Sequence, residues 1–183
     1  MKKVVLTFGL ISGVLSSAMM LGTIPFQHQI GNDRALIVGY TTIVASFLLV
    51  FFGIRSYRNT VGGGRITFGR GFAVGISITM ITCIFYVVTW EIVYFNFMPD
   101  FMTKYTAREV EKAKASGASE AVIQAKILEL HKAAEAYKNP LVNAAETFLE
   151  PFPVGLVITL ISAAVLRRKD ASEPEPGALP ASS

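Results

Sequence analysis

Three carboxylates, Glu91, Glu146 and Glu150, lie inside or beside long apolar stretches. A charge in such surroundings is costly unless it is paired or used, which makes these acids the first candidates for chemistry. Arg34 and His28 are the cations placed to face them, and the five together would form an outer polar cluster able to hold a cation or a proton. Other chemistry is scarce. Cys83 is the sole cysteine, and His28 and His131 are the sole histidines and stand in separate segments, so neither a disulfide nor a His-rich metal site is expected. There is no G-x-S-x-G and no H-E-x-x-H, and Gly62-Gly63-Gly64 lacks the Lys-Ser/Thr that completes a phosphate loop. Carboxylates without a nucleophile, metal or cofactor argue against an enzyme.

The elements that carry these residues are four apolar spans, at about 4–24, 35–54, 71–97 and 151–166. About 20 helical residues cover the roughly 30 Å of bilayer hydrocarbon, and no soluble domain needs that length four times. The chain has 183 residues, 52% of them hydrophobic, which leaves room for one membrane domain, to about residue 170, and a modest insertion. The net charge of +4 sits beside the spans and forms no aromatic-interleaved basic face, which argues for membrane topology and against nucleic acid. Met1-Lys2-Lys3 before an apolar run resembles a signal peptide, but the run is too long and no A-x-A follows; a retained first helix is expected.

Lys and Arg near the span ends predict orientation. Lys2 and Lys3 precede the first span, Arg55, Arg58, Arg65 and Arg70 form a basic loop between the second and third, and Arg167, Arg168 and Lys169 follow the fourth. Both termini and the basic loop should therefore be cytoplasmic. From Arg70 to Glu91 is a helical rise of roughly 32 Å, and from Arg167 back to Glu146 is about the same. That puts the acids at the outer interface, where the cost of a charge largely disappears. Glu91 beside Trp90, with Tyr86 and Tyr94 a turn away on each side, reads equally as an interfacial girdle residue.

Between the third and fourth spans, residues of about 100–139 should form an outer helical insertion. Gly117 interrupts it, and Ser119 is suited to cap a second helix. Ile123, Ile127, Leu130, Ala134 and Tyr137 share one face of that helix, opposite Lys126, Glu129, Lys132, Glu135 and Lys138. The apolar stripe suits a hairpin with the upstream helix, with a membrane surface or a partner as alternatives. Asn139-Pro140 should start a lead-in helix over 140–150, which Pro151 and Pro153 bend or break. Rows of small residues, Gly9-Gly13-Ser17, Gly71-Gly75-Thr79 and Gly155-Thr159-Ala163, mark faces where helices can approach, within one chain or between copies. Residues 171–183, rich in Ser, Glu, Pro and Ala, should be a disordered cytoplasmic tail.

The block Gly53-Ile54-Arg55-Ser56-Tyr57-Arg58, then the glycine turn, then Ile66-Thr67-Phe68-Gly69-Arg70-Gly71-Phe72 and Gly75, resembles a bacterial membrane-protein family known as domain of unknown function 4199. The resemblance covers most of residues 4–169. It implies four membrane helices with a polar insertion before the last, and it brings no activity or site residues. The expectation is thus an all-α, four-helix transmembrane bundle with an extramembrane hairpin. In function it is a non-enzymatic accessory or scaffold subunit in the lipid bilayer, with a protein partner or a second copy, and without cofactor. The alternative is a small oligomeric transporter or channel using the outer carboxylates. Against that stands depth, since transporters tend to place coupling groups near the midplane.

Overall fold

A computed structural model describes residues 1–24 and 32–168, and the side chains of 1–24 and 37–168. His28, the Arg34 side chain and the 171–183 tail lie outside the described residues. The helices are α1 (Lys2–Thr23), α2 (Asn32–Thr60), α3 (Phe68–Phe97), α4 (Phe101–Ala115), α5 (Glu120–Tyr137), α6 (Pro140–Leu149) and α7 (Phe152–Leu166). Four segments are long and apolar enough to cross a membrane: Lys2–Thr23, Ile37–Thr60, Phe68–Phe97 and Pro140–Leu166. The fold is a membrane-spanning four-helix bundle with a helical hairpin between its third and fourth crossings.

The helices overrun the apolar stretches at several ends. α2 continues through Arg55 and Arg58 to Thr60, because arginine is a good helix former and nothing stops the helix before Gly62. α3 begins at Phe68, three residues before Gly71, since the Thr67 hydroxyl accepts from the Arg70 amide at 3.3 Å and caps the first turn. The fourth crossing differs more. α7 has 15 residues, a rise of about 22 Å, which is short of the hydrocarbon thickness. α6 supplies the remainder, and the break between them falls at Glu150-Pro151, because proline removes a helical N–H.

The chain forms two compact units: Met1–Thr82 with Pro153–Ser183, and Cys83–Phe152. The first unit holds the bundle core, and its interior is small and polar. Ser12, Ser46, Thr79 and Thr159 are fully buried, whereas Leu10, Val14, Leu48, Phe52, Val157 and Val165 are exposed. That inversion of a water-soluble core suits lipid, which offers no hydrophobic drive between helices and leaves close packing and hydrogen bonds to hold them. The Ser12 hydroxyl donates to the Ser46 carbonyl at 2.8 Å, joining α1 to α2. The Thr79 and Thr159 hydroxyls meet at 3.0 Å, joining α3 to α7. Glycines set the spacing. A Cβ on Gly75 would lie 2.7 Å from Thr159 Cγ2, and one on Gly155 would lie 2.6 Å from Thr79 Cγ2 and 2.7 Å from Phe47.

In the second unit α4 and α5 pack as the hairpin, turning at Gly117, whose φ of +73° is one that residues with a side chain seldom adopt. Ile123 and Leu130 are buried, and Ile127, Ala134 and Tyr137 half-buried, so the stripe of α5 is used within the unit. The opposite face keeps its mixed charge, with Lys126–Glu129 at 3.1 Å and Lys138–Glu135 at 2.6 Å. α6 starts as its sequence requires: Asn139 caps the Leu141 amide at 2.9 Å, and Pro140 occupies the first helical position.

Candidate functional site

The second half of α3 presents an aromatic and polar face to α5 and α6. A helical turn separates Trp90 from Tyr94, and both meet Phe101, with ring centroids at 5.0 Å for Trp90 and 6.1 Å for Tyr94. Tyr94 also meets Tyr137 edge to face at 5.2 Å. Such contacts add to the area that the rings bury.

Through this aromatic cluster runs a chain of hydrogen bonds. The Trp90 indole N–H donates to the Tyr137 hydroxyl at 2.9 Å. That hydroxyl lies 3.4 Å from the Thr147 hydroxyl, which donates to Asn143 Oδ1 at 3.3 Å. The Asn143 amide donates to the Tyr137 carbonyl at 3.4 Å, so the chain closes on its own helix end. Asn143 is fully buried and Thr147 nearly so, yet each finds its partner inside the chain. Burial raises the Tyr137 phenol above its ordinary value; the hydrogen bonds to Thr147 and Trp90 oppose that shift, and the nearby Glu146 charge adds to it.

The three acids are placed differently. Glu150 accepts from the Tyr86 hydroxyl at 3.0 Å, and Glu146 is exposed on α6, within electrostatic reach of Tyr137. Glu91 is half-buried, and its Oε1 is buried with no hydrogen-bond partner among the described residues. The two cations expected to complete the cluster, Arg34 and His28, cannot be placed against these acids, since their side chains lie outside the described residues. Among the described residues no three His, Cys, Asp or Glu side chains group so as to hold a metal ion.

Sequence reasoning passed over Asn143, Thr147 and the role of the Tyr137 hydroxyl. A signal was present, because Asn143 and Thr147 are four apart on a short apolar helix and so share a face. In the sequence Tyr137 ends an apolar stripe; in the structure its ring joins the aromatic cluster and its hydroxyl joins the polar chain.

The basic residues form a second locus, in the first unit. Gly9 meets Ile81 and Gly53 meets Phe8, so α1 is in register with both α2 and α3; Gly71 meets Ala163 in the same way. Counting along from these contacts places Lys3, Arg58, Arg70 and Arg167 near one level. The glycine turn that joins α2 to α3 has Gly63 at φ +58° and Gly64 at φ +84°. Beyond it, Ile66 and Arg168 form an isolated antiparallel bridge, with Ile66 N–H to Arg168 O at 3.3 Å and Arg168 N–H to Ile66 O at 3.0 Å. Arg55, Arg65 and Arg70 are exposed, and Arg58 donates to Asn59 at 3.1 Å.

The family described as "Protein of unknown function (DUF4199)" matches residues 7–168. No curated protein and no solved structure matches the chain.

Proposed function

The chain belongs to the DUF4199 family, and on that premise we propose that this bacterial multi-pass membrane protein is a non-enzymatic accessory or scaffold subunit. It holds a rigid helical hairpin outside the membrane, on the side opposite its arginine-rich loop. Both termini lie with that loop in the cytoplasm, as the positive-inside bias of Lys and Arg requires.

The observation that carries this reading is the closed chain Trp90–Tyr137–Thr147–Asn143. In a substrate site, buried polar side chains face a cavity and wait for a ligand. Here the buried Asn143 and Thr147 bond to neighbouring groups of the same chain. Their effect is to fix α5 and α6 to α3, and a fixed hairpin with a mixed-charge outer face is built to be recognised. The buried hydroxyls of the bundle support the same reading. Ser12 and Thr79 join helices, and Thr82 bonds the Ile78 carbonyl of its own helix. A partner that co-purifies from native membranes in fixed stoichiometry, and leaves when the charged face of the hairpin is altered, tests this function.

One observation favours a second reading, transport of a proton or cation. Glu91 carries a buried oxygen without a partner, next to a face where Tyr86 already engages Glu150. If Glu91 carries an ion, Glu91→Gln abolishes a proton or cation flux measured in proteoliposomes of the purified protein. If it does not, the variant behaves as the parent chain.

A further inference from the structure

The arginine-rich end of the bundle has a feature that topology alone does not call for: its two basic segments are tied together. The loop segment of Arg65, Ile66 and Thr67 is bonded through its backbone to Arg168, just past the end of α7. Arginines that follow different helices, about 100 residues apart in the chain, are thereby held alongside one another. Ile66 is 4% exposed, so the tie is seated on the bundle, while Arg65, Arg70, Arg167 and Arg168 are exposed around it. Free charges for orientation need no such arrangement.

The chemistry around this end is one-sided. No Asp or Glu occurs in residues 37–82 or 153–168, whereas Arg55, Arg58, Arg65, Arg70, Arg167 and Arg168 all do. The sequence beyond residue 168, outside the described residues, adds Lys169 and the acids Asp170, Glu173 and Glu175, which six arginines still outnumber. Directly along the helices from these charges the surface is apolar and exposed: Val165 at 69% and Ile161 at 57% on α7, and Phe52 at 48% on α2. A cationic rim above an apolar wall has the form of a phospholipid, anionic phosphate at one end and acyl chain at the other. Guanidinium groups suit phosphate because their planar fork can donate two parallel hydrogen bonds.

We propose that the clasp between Ile66 and Arg168 organises Arg65, Arg70, Arg167 and Arg168 into a binding site for the headgroup of an anionic phospholipid, whose acyl chains lie along α7. The bilayer leaflet is the source of this ligand, because the rim stands at the level where the apolar spans end.

The test uses the full chain, purified and reconstituted in nanodiscs of phosphatidylcholine titrated with phosphatidylglycerol, with binding read from the rise in thermal midpoint. Saturable stabilisation by phosphatidylglycerol is expected. Arg65→Gln and Arg168→Gln should each weaken it about fivefold, the usual effect of one basic residue near an anionic surface. Arg55→Gln, the same charge away from the clasp, should weaken it less. Arg168→Pro removes the same charge as Arg168→Gln and also the N–H that bonds Ile66, at a position beyond the last helix where folding is not at stake. It should weaken binding several-fold further. Equal effects of Arg168→Pro and Arg168→Gln, or of Arg55→Gln and Arg65→Gln, would show a diffuse field of charge and overturn the proposal. Inorganic phosphate that competes as well as phosphatidylglycerol would show a free-anion site and overturn it too.

Discussion

The indole N–H of Trp90 donates to the phenol oxygen of Tyr137 at 2.9 Å, a hydrogen bond between residues 47 apart in sequence. It ties the last turns of a membrane-spanning helix to the far end of the hairpin that follows it. Hairpin position therefore depends on one donor and one acceptor set among aromatic rings.

Trp90→Phe keeps a ring and removes the donor. It should lower stability by about 1 kcal/mol, the net value of a typical hydrogen bond. Tyr137→Phe should cost more, since it also removes the contact with Thr147. In a double-mutant cycle the combined loss should fall short of the sum, because both variants break the same bond. Thermal unfolding in detergent reads all four corners of the cycle, and strict additivity would show that the bond contributes nothing.

Tyr137 should also make stability sensitive to alkali. Its folded phenol is raised above the ordinary value of 10.0 chiefly by burial, so folding favours the neutral form. That contribution is fully present below pH 10 and is lost as pH rises through the higher folded value. A fall in thermal midpoint above pH 10 that is steeper in the parent chain than in Tyr137→Phe is the expected result.

Much of this architecture was legible because membrane helices obey few rules. Apolar length gave the crossings, and Asn139-Pro140 gave the start of α6 through cap chemistry that acts within one turn. The small-residue rows were legible as faces, and the structure adds their partners: Gly75 with Thr159, Gly155 with Thr79 and Phe47. Span ends were less legible, as at Arg55, where a charged helical turn looks like a boundary by hydropathy and is none to the backbone. Of the Trp90–Tyr137–Thr147–Asn143 chain only the four-residue spacing of Asn143 and Thr147 was legible, as a shared face without a partner. The four residues come from three helices, and no periodicity within one segment reports which side chains of another will meet it.

The glycine contacts carry their own prediction. Gly75→Ala and Gly155→Ala each place a methyl group against side chains closer than real Cβ atoms come, so helices must part, at a cost of about 1–3 kcal/mol. Gly39→Ala meets nothing within 4 Å and should be neutral or stabilise by up to about 1 kcal/mol through helix propensity. Thermal midpoints of the three variants in one detergent check the contrast.

Orientation can be read with a membrane-impermeant thiol reagent, since the native Cys83 is fully buried. Ser116→Cys at the hairpin turn should label in intact cells or spheroplasts. Asn59→Cys beside the glycine turn should label only after the membrane is opened. Labelling of both positions from the same side would contradict the proposed topology.

The scaffold function is tested most directly by affinity purification of the chain from its native membranes, with the copurifying protein quantified against it. A partner in fixed stoichiometry is expected, lost on charge reversal of the exposed hairpin face by Lys132→Glu with Lys138→Glu, and retained in Glu91→Gln. The contradicting result is purification of the chain alone or with its own copies, together with a proton or cation flux in proteoliposomes that Glu91→Gln abolishes.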